Sequence, residues 1–254
     1  MKTIQQFRLI ALMAIIPLFA LNAQDKTKMY WIHVDHVKPA MVGEYEAVTK
    51  ELVKHCTDHN FKGGDWITLS SIDNDYSFIA PIDNYSELGN NTFAELYEKV
   101  GDEKMNALWT KMNQCYTDHE DYILHLDPEL SYQPGGINQA PAGMNYRNNR
   151  MFYVSPENYS KANELAGKFK ELYTKKESKL HYRVYKSGFG ADGTYFMVAV
   201  AASNPASYES MTYENNKLLG AEGQALFGEL MSLIDKTETI QGWIRPELGY
   251  TAKK

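Results

Sequence analysis

The feature that most constrains the fold of this chain is an internal repeat. The segment Lys50–Val53 (KELV) is echoed by Lys170–Tyr173 (KELY), and Pro128–Tyr132 (PELSY) is echoed by Pro246–Tyr250 (PELGY). Strand-like and helix-like segments follow one another in the same order between these echoes. A repeat of this length predicts two copies of one structural unit, placed one after the other.

Hydrophobic periodicity predicts six elements in each unit. The first unit has strands over 29–35, 65–72, 76–82 and 122–130, with helices over 39–59 and over 85–119, the latter broken near Gly101. The second has strands over 151–154, 180–187, 194–201 and 239–248. Its helices begin at Ser155-Pro156 and at Pro205, and the latter is broken near Gly220. Each unit is therefore a β-α-β-β-α-β unit, which is the ferredoxin-like arrangement.

A ferredoxin-like sheet covers one face with its helices and leaves the other face bare, so two units in one chain can bury their bare faces against each other. In this topology and duplication the chain resembles the dimeric α/β-barrel superfamily, in its fused two-repeat form. The fold class is thus α+β, two tandem ferredoxin-like repeats (24–132 and 148–254) joined by a linker over 133–147 and packed as an intramolecular barrel. That superfamily includes small monooxygenases, NIPSNAP-like proteins and haem-binding chlorite-dismutase-like enzymes, so the resemblance implies the fold and leaves the activity open.

Residues 1–23 have the features of an export signal. Lys2 and Arg8 precede a short apolar run, and Ala23 offers a small residue for cleavage. The mature chain would carry 24 Lys and Arg against 32 Asp and Glu, a formal charge of −8. This acidity argues against nucleic-acid binding. No later segment is apolar and long enough for membrane insertion after cleavage. We therefore expect a periplasmic or secreted protein.

The two cysteines, Cys56 and Cys115, form an even pair in an oxidising compartment, which invites a disulfide. Each is predicted near the C-terminal end of a helix, and those two helices should run antiparallel. The fold therefore argues against a Cys56–Cys115 bond.

Two His-x-Asp pairs are the strongest candidates for chemistry. His33 and Asp35 alternate along the first strand, and His125 and Asp127 along the last strand of the same unit. These strands are neighbours in ferredoxin-like topology, and we expect both pairs to point into the space between the repeats. Three interpretations stay open: a hydrated cross-strand ladder, a proton relay with His as the base, and a divalent metal site on these four residues.

The second unit does not repeat this chemistry, because Tyr153 aligns with His33 and Trp243 aligns with His125. One side of the expected cavity would then be polar and the other aromatic. The candidate ligand-binding residues are Trp31, Trp66, Tyr153, Arg183 and Trp243. Arg183 could hold a carboxylate or phosphate, or it could belong to the exposed face of an edge strand, which is the commoner case.

The sequence thus predicts an exported protein that binds a small, partly apolar molecule between its two repeats. The resemblance implies, as an alternative, a cofactor-independent monooxygenase or isomerase, or a haem-binding enzyme, although no local sequence context selects a haem ligand. A non-enzymatic protein-interaction module is the third alternative. The identity of any cofactor and the oligomeric state are left open by the sequence.

Overall fold

The computed structural model describes residues 27–137 and 142–253. The proposed export signal over 1–23 lies outside these ranges. Eight strands are formed by β1 Lys28–Val37, β2 Ile67–Ser71, β3 Asp75–Ile82, β4 Tyr116–Tyr132, β5 Tyr146–Val154, β6 Tyr182–Ser187, β7 Tyr195–Ala202 and β8 Ile234–Ile244. Five α-helices are formed in the same ranges by α1 Val42–Asp58, α2 Ala94–Val100, α3 Asp102–Cys115, α4 Tyr159–Lys175 and α5 Pro205–Met231.

The strands close into one antiparallel barrel in the order β1-β3-β2-β8-β5-β7-β6-β4. Strands of the first half run β4-β1-β3-β2, and strands of the second half run β8-β5-β7-β6, so the same relative order occurs twice. The halves join where β2 pairs with β8 and where β4 pairs with β6. Closure removes the free sheet edges that each half would otherwise expose.

The helices follow from local sequence. In α1, Tyr45, Val48, Leu52 and Cys56 recur at helical spacing, and all four are buried. Gly101, with φ of 97°, separates α2 from α3. Asn204 caps α5 by accepting a hydrogen bond from the Ser207 N–H at 2.9 Å. None of the described helices is long and apolar enough to cross a membrane.

The two faces of β1 point in the opposite directions to those that the sequence predicts. Ile32 and Val34 of β1 pack with Leu124, Met151 and Met197, strand residues that come from both halves and therefore meet inside the barrel. The other face of β1, with Trp31, His33 and Asp35, turns towards the helices of the first half. Alternation along β1 correctly separates the two sets. The expected inward orientation of His33 and Asp35 is wrong, because a closed barrel buries both faces and the face of β1 with Tyr30, Ile32 and Val34 is the one that lies inside it.

Several element boundaries also differ from the sequence prediction. β8 runs over Ile234–Ile244 rather than 239–248. β4 begins at Tyr116 rather than Tyr122, and β5 begins at Tyr146 rather than Met151. Both extensions are made by polar residues whose backbone groups pair with a neighbouring strand, a tertiary effect that side-chain periodicity does not report. Cys56 and Cys115 are free thiols, both buried within the same core of the first half.

Candidate functional site

A pocket of about 620 Å³ lies in the first half, between the outer face of its strands and the covering helices. This volume falls within the range of roughly 300–1,000 Å³ that small-molecule sites occupy. We call it the aromatic pocket. Its walls carry the rings of Trp31, Trp66, Phe78, Phe93 and Trp109, and its polar residues include His33, Asp35, His119 and Asp121.

Strand pairing brings the polar groups together. Alternation places Trp31, His33 and Asp35 on one face of β1, and the antiparallel register sets His33 opposite Asp121 of β4 and opposite Phe78 of β3. The polar group therefore comes from neighbouring strands of a rigid barrel. Such a scaffold holds side chains more precisely than loops do.

His33 lies between two carboxylates. Its Nδ1 is 3.0 Å from Oδ1 of Asp121, and its Nε2 is 3.2 Å from Oδ1 of Asp35. Burial lowers the pKa of His33, but the close contacts with the Asp35 and Asp121 carboxylates outweigh burial, so the pKa is raised above its ordinary value. The two carboxylates therefore favour the protonated form of the imidazole.

Asp35 is the buried member of this group, with a side chain only 3% exposed. The Tyr45 hydroxyl donates a hydrogen bond to its Oδ2 at 2.5 Å. Its Oδ1 is within ion-pair distance of His33 but lacks the alignment of a hydrogen bond. Burial, and then the nearby Asp35 charge, raises the pKa of Tyr45, so this phenol stays a donor. The hydrogen bond from Tyr45 therefore holds the Asp35 carboxylate in place.

Asp121 and His119 complete the polar end of the aromatic pocket, and sequence reasoning missed both. The Trp31 Nε1–H donates to Oδ1 of Asp121 at 2.8 Å, and the His119 ring lies 5.1 Å from the His33 ring. His119 was assigned to the end of a helix, and Asp121 fell before the predicted strand. Extending the alternation of β4 backwards from Ile123 would have placed both residues on the face of His33.

His125 and Asp127 do not join His33 and Asp35. His125 pairs in register with Met29, four residues along β4 from Asp121, and its Nε2 is 3.3 Å from the Tyr85 hydroxyl. Asp127 forms an ion pair with Lys186 at 2.6 Å. The two His-x-Asp pairs share a sheet face, as expected, but the strand offset separates them. No group of three or more His, Cys, Asp and Glu residues is arranged to hold a metal ion within 27–137 and 142–253.

Of the five predicted ligand-binding residues, Trp31 and Trp66 line the aromatic pocket. Tyr153 lies on the barrel face and donates to Glu238 at 2.7 Å. Arg183 donates from Nε to the Ile137 carbonyl at 2.9 Å. Trp243 packs against Tyr146 with ring centroids 5.5 Å apart. The last three do not converge on this pocket, because they belong to other faces and to the second half.

No protein-family model matches the chain, and no curated protein sequence matches it significantly. Solved structures do resemble it. An anthrone oxidase-like protein aligns with a TM-score of 0.56 at 12% identity, over 87% of this chain and 93% of the other. A proposed monooxygenase from Lactobacillus acidophilus NCFM aligns with a TM-score of 0.54 at 10% identity, over 89% and 97%. A variant of chlorite dismutase from Candidatus Nitrospira defluvii aligns with a TM-score of 0.53 at 13% identity, over 87% and 92%.

These structures have the dimeric α/β-barrel fold, and at such low identity the likeness shows the fold alone.

Proposed function

We propose that the chain binds a small, partly apolar aromatic molecule in the aromatic pocket and acts on it as a cofactor-independent oxygenase or isomerase. The observation that carries the proposal is the position of His33. A single imidazole lies between two carboxylates at the polar end of a pocket walled by aromatic rings. The rings would hold an aromatic ligand by stacking, and the imidazole would exchange a proton with it.

In this scheme neutral His33 removes a proton from an acidic C–H or O–H group of the ligand. Asp35 and Asp121 then stabilise the imidazolium that forms. For an anthrone, loss of the ring CH₂ proton gives a carbanion delocalised onto the ketone. Reaction of that carbanion with O₂ converts anthrone and O₂ into anthraquinone and water. The similarity to an anthrone oxidase-like structure makes anthrone a reasonable first probe.

The test measures O₂ consumption and anthraquinone formation with anthrone. We expect His33→Gln to remove the activity and His125→Gln to keep it. His125 is a matched control, because it lies on the same sheet face but does not line the pocket. Equal activity in wild type and in His33→Gln would refute the role of His33.

Binding is measured separately by quenching of tryptophan fluorescence, since Trp31, Trp66 and Trp109 line the pocket. Quenching by anthrone without O₂ consumption would retain the binding site and reject the oxygenase activity. Absence of both would reject the whole proposal.

Haem does not fit the histidines that line the aromatic pocket. Both ring nitrogens of His33 already face carboxylates, and His119 is an exposed residue. His181 lies in a separate surface groove. The pocket of the second half is lined by no histidine. We therefore derive no step through a haem.

We also infer that the two halves are tandem ferredoxin-like repeats and that residues 1–23 direct export. The recurrence of one strand order supports the first inference. The charge and apolar pattern of the N-terminus supports the second. N-terminal sequencing of protein recovered outside the cytoplasm should begin at Gln24. An intact Met1 terminus would contradict the cleavage.

A further inference from the structure

A second pocket lies in the other half of the molecule, between the outer face of β5, β6 and β7 and the helices α4 and α5. Its volume is about 190 Å³, and its lining includes Phe152, Ala166, Val184, Val198, Val200 and Leu230. A buried cavity of about 150 Å³ is enough to hold one benzene ring. This second-half pocket is therefore large enough for a single aromatic ring with small substituents.

Arg150 supplies a positive charge to this pocket. Its guanidinium carbon lies 5.0 Å from the ring centroid of Phe152 and 5.8 Å from that of Phe227. Within 27–137 and 142–253, no carboxylate forms an ion pair with it, whereas Arg245 binds Glu46 through two nitrogens. An arginine held by rings beside an apolar pocket is well suited to bind a carboxylate through two parallel hydrogen bonds.

Tyr182 supplies a second polar group. The residue is 5% exposed, and its hydroxyl makes no hydrogen bond with any residue of the described ranges. The neighbouring phenols are satisfied, since Tyr173 accepts from Asn215 and Tyr132 donates to the Ser178 carbonyl. An unsatisfied buried hydroxyl is unfavourable, and a polar group of a ligand would remove that penalty.

Strand register places these two groups on different sides of the pocket. Arg150 pairs with Val198 of β7, and Val198 pairs with Val184 of β6. Tyr182 lies two residues before Val184 on β6, so it is two strand spacings, about 10 Å, from the strand of Arg150. A ligand that met both would need a carboxylate at one end and a hydrogen-bonding group at the other.

We propose that the second-half pocket binds a small aromatic carboxylate with a hydroxyl or carbonyl opposite the acid group. Arg150 holds the carboxylate, the apolar walls hold the ring, and the Tyr182 hydroxyl meets the distal polar group. The site is independent of the aromatic pocket and of the proton transfer proposed there.

The test is isothermal titration of the mature chain with 4-hydroxybenzoate and with its neutral counterpart 4-hydroxybenzamide. We expect the wild type to prefer the acid. Arg150→Gln should weaken acid binding about tenfold or more while leaving amide binding unchanged, because a charge-assisted pair is lost. Tyr182→Phe should weaken binding of both compounds. It should keep or raise the melting temperature of the unliganded chain, because it removes a hydroxyl that has no partner.

Two variants test whether binding occurs in the second-half pocket or in the aromatic pocket. Ala166→Leu fills the second-half pocket and should abolish binding, whereas His33→Gln changes only the aromatic pocket and should leave the affinity unchanged. Circular dichroism of each variant verifies that it folds. No wild-type binding at millimolar concentration would overturn the proposal. Equal affinity for acid and amide, or loss of binding in His33→Gln, would also overturn it.

Discussion

The Tyr45–Asp35 hydrogen bond allows the sharpest test of how the polar group is built. Tyr45 is fully buried, and its hydroxyl is the hydrogen-bond donor to a carboxylate whose other oxygen has no aligned donor. Tyr45→Phe removes the oxygen atom and almost nothing else. It leaves the buried Asp35 carboxylate without a hydrogen bond from any side chain or backbone group of residues 27–137 and 142–253.

A hydrogen bond to a charged group contributes about 1.5–3 kcal/mol, and burial places this one towards the upper end. In a chain of this size each kcal/mol shifts the melting temperature by about 2–4 °C, so Tyr45→Phe should lower it by about 3–12 °C. Urea unfolding followed by circular dichroism would measure the loss of free energy of unfolding directly.

Tyr116→Phe is the matched control. The Tyr116 hydroxyl donates to the exposed Asn113 side chain, so its removal should cost no more than about 0.5 kcal/mol. If Tyr45→Phe were as stable as wild type, or if both variants lost the same free energy, the argument that Tyr45 holds Asp35 in place would be refuted.

Three further predictions follow from named contacts. Asp121→Asn should lower the pKa of His33, seen as a lower midpoint in an NMR titration of its ring, because one of the charges that raise it is gone; an unchanged midpoint would contradict this. Gly242→Ala should destabilise the chain by about 1–3 kcal/mol in urea unfolding, since an added Cβ would lie 2.1 Å from a backbone oxygen of β2 at the junction of the halves; wild-type stability would show that the junction can adjust. The pKa of Glu46 is lowered from 4.5 to about 2, mainly by its hydrogen bonds to Arg245, so this pair stabilises the chain above pH 4.5 and the effect is lost as pH falls towards 2. Glu46→Gln should therefore lose stability at neutral pH and little at pH 2, and a loss independent of pH would exclude this origin.

The architecture was predictable because it depends on order along the chain. The repeated motifs, the helical spacing in α1 and the glycine break at Gly101 are local features, and the strand order that follows from them appears in both halves. The sets of residues that share a strand face were predictable for the same reason, since side chains alternate with a period of two.

The candidate site was predictable only in part. His33, Asp35, Trp31 and Trp66 were identified from the sequence and lie together in the aromatic pocket. Asp121 was missed. His125 lies on the expected face of the neighbouring strand, but it is four residues along β4 from Asp121 and does not join His33. The offset between β1 and β4 determines which residues meet, and it arises from backbone pairing over the whole strand. Side-chain pattern does not report that offset.

The sequence by itself determined the order of strands and helices and the two faces of each strand, because propensity and periodicity act over short distances. Tertiary structure alone decided which face of each strand lies inside the barrel and which lies beneath the helices. Closure of eight strands buries both faces, so the set of β1 with Ile32 and Val34 lies inside the barrel and the set with His33 and Asp35 lies beneath the helices. There the polar groups border a pocket, where two carboxylates can share one imidazole and still reach a ligand.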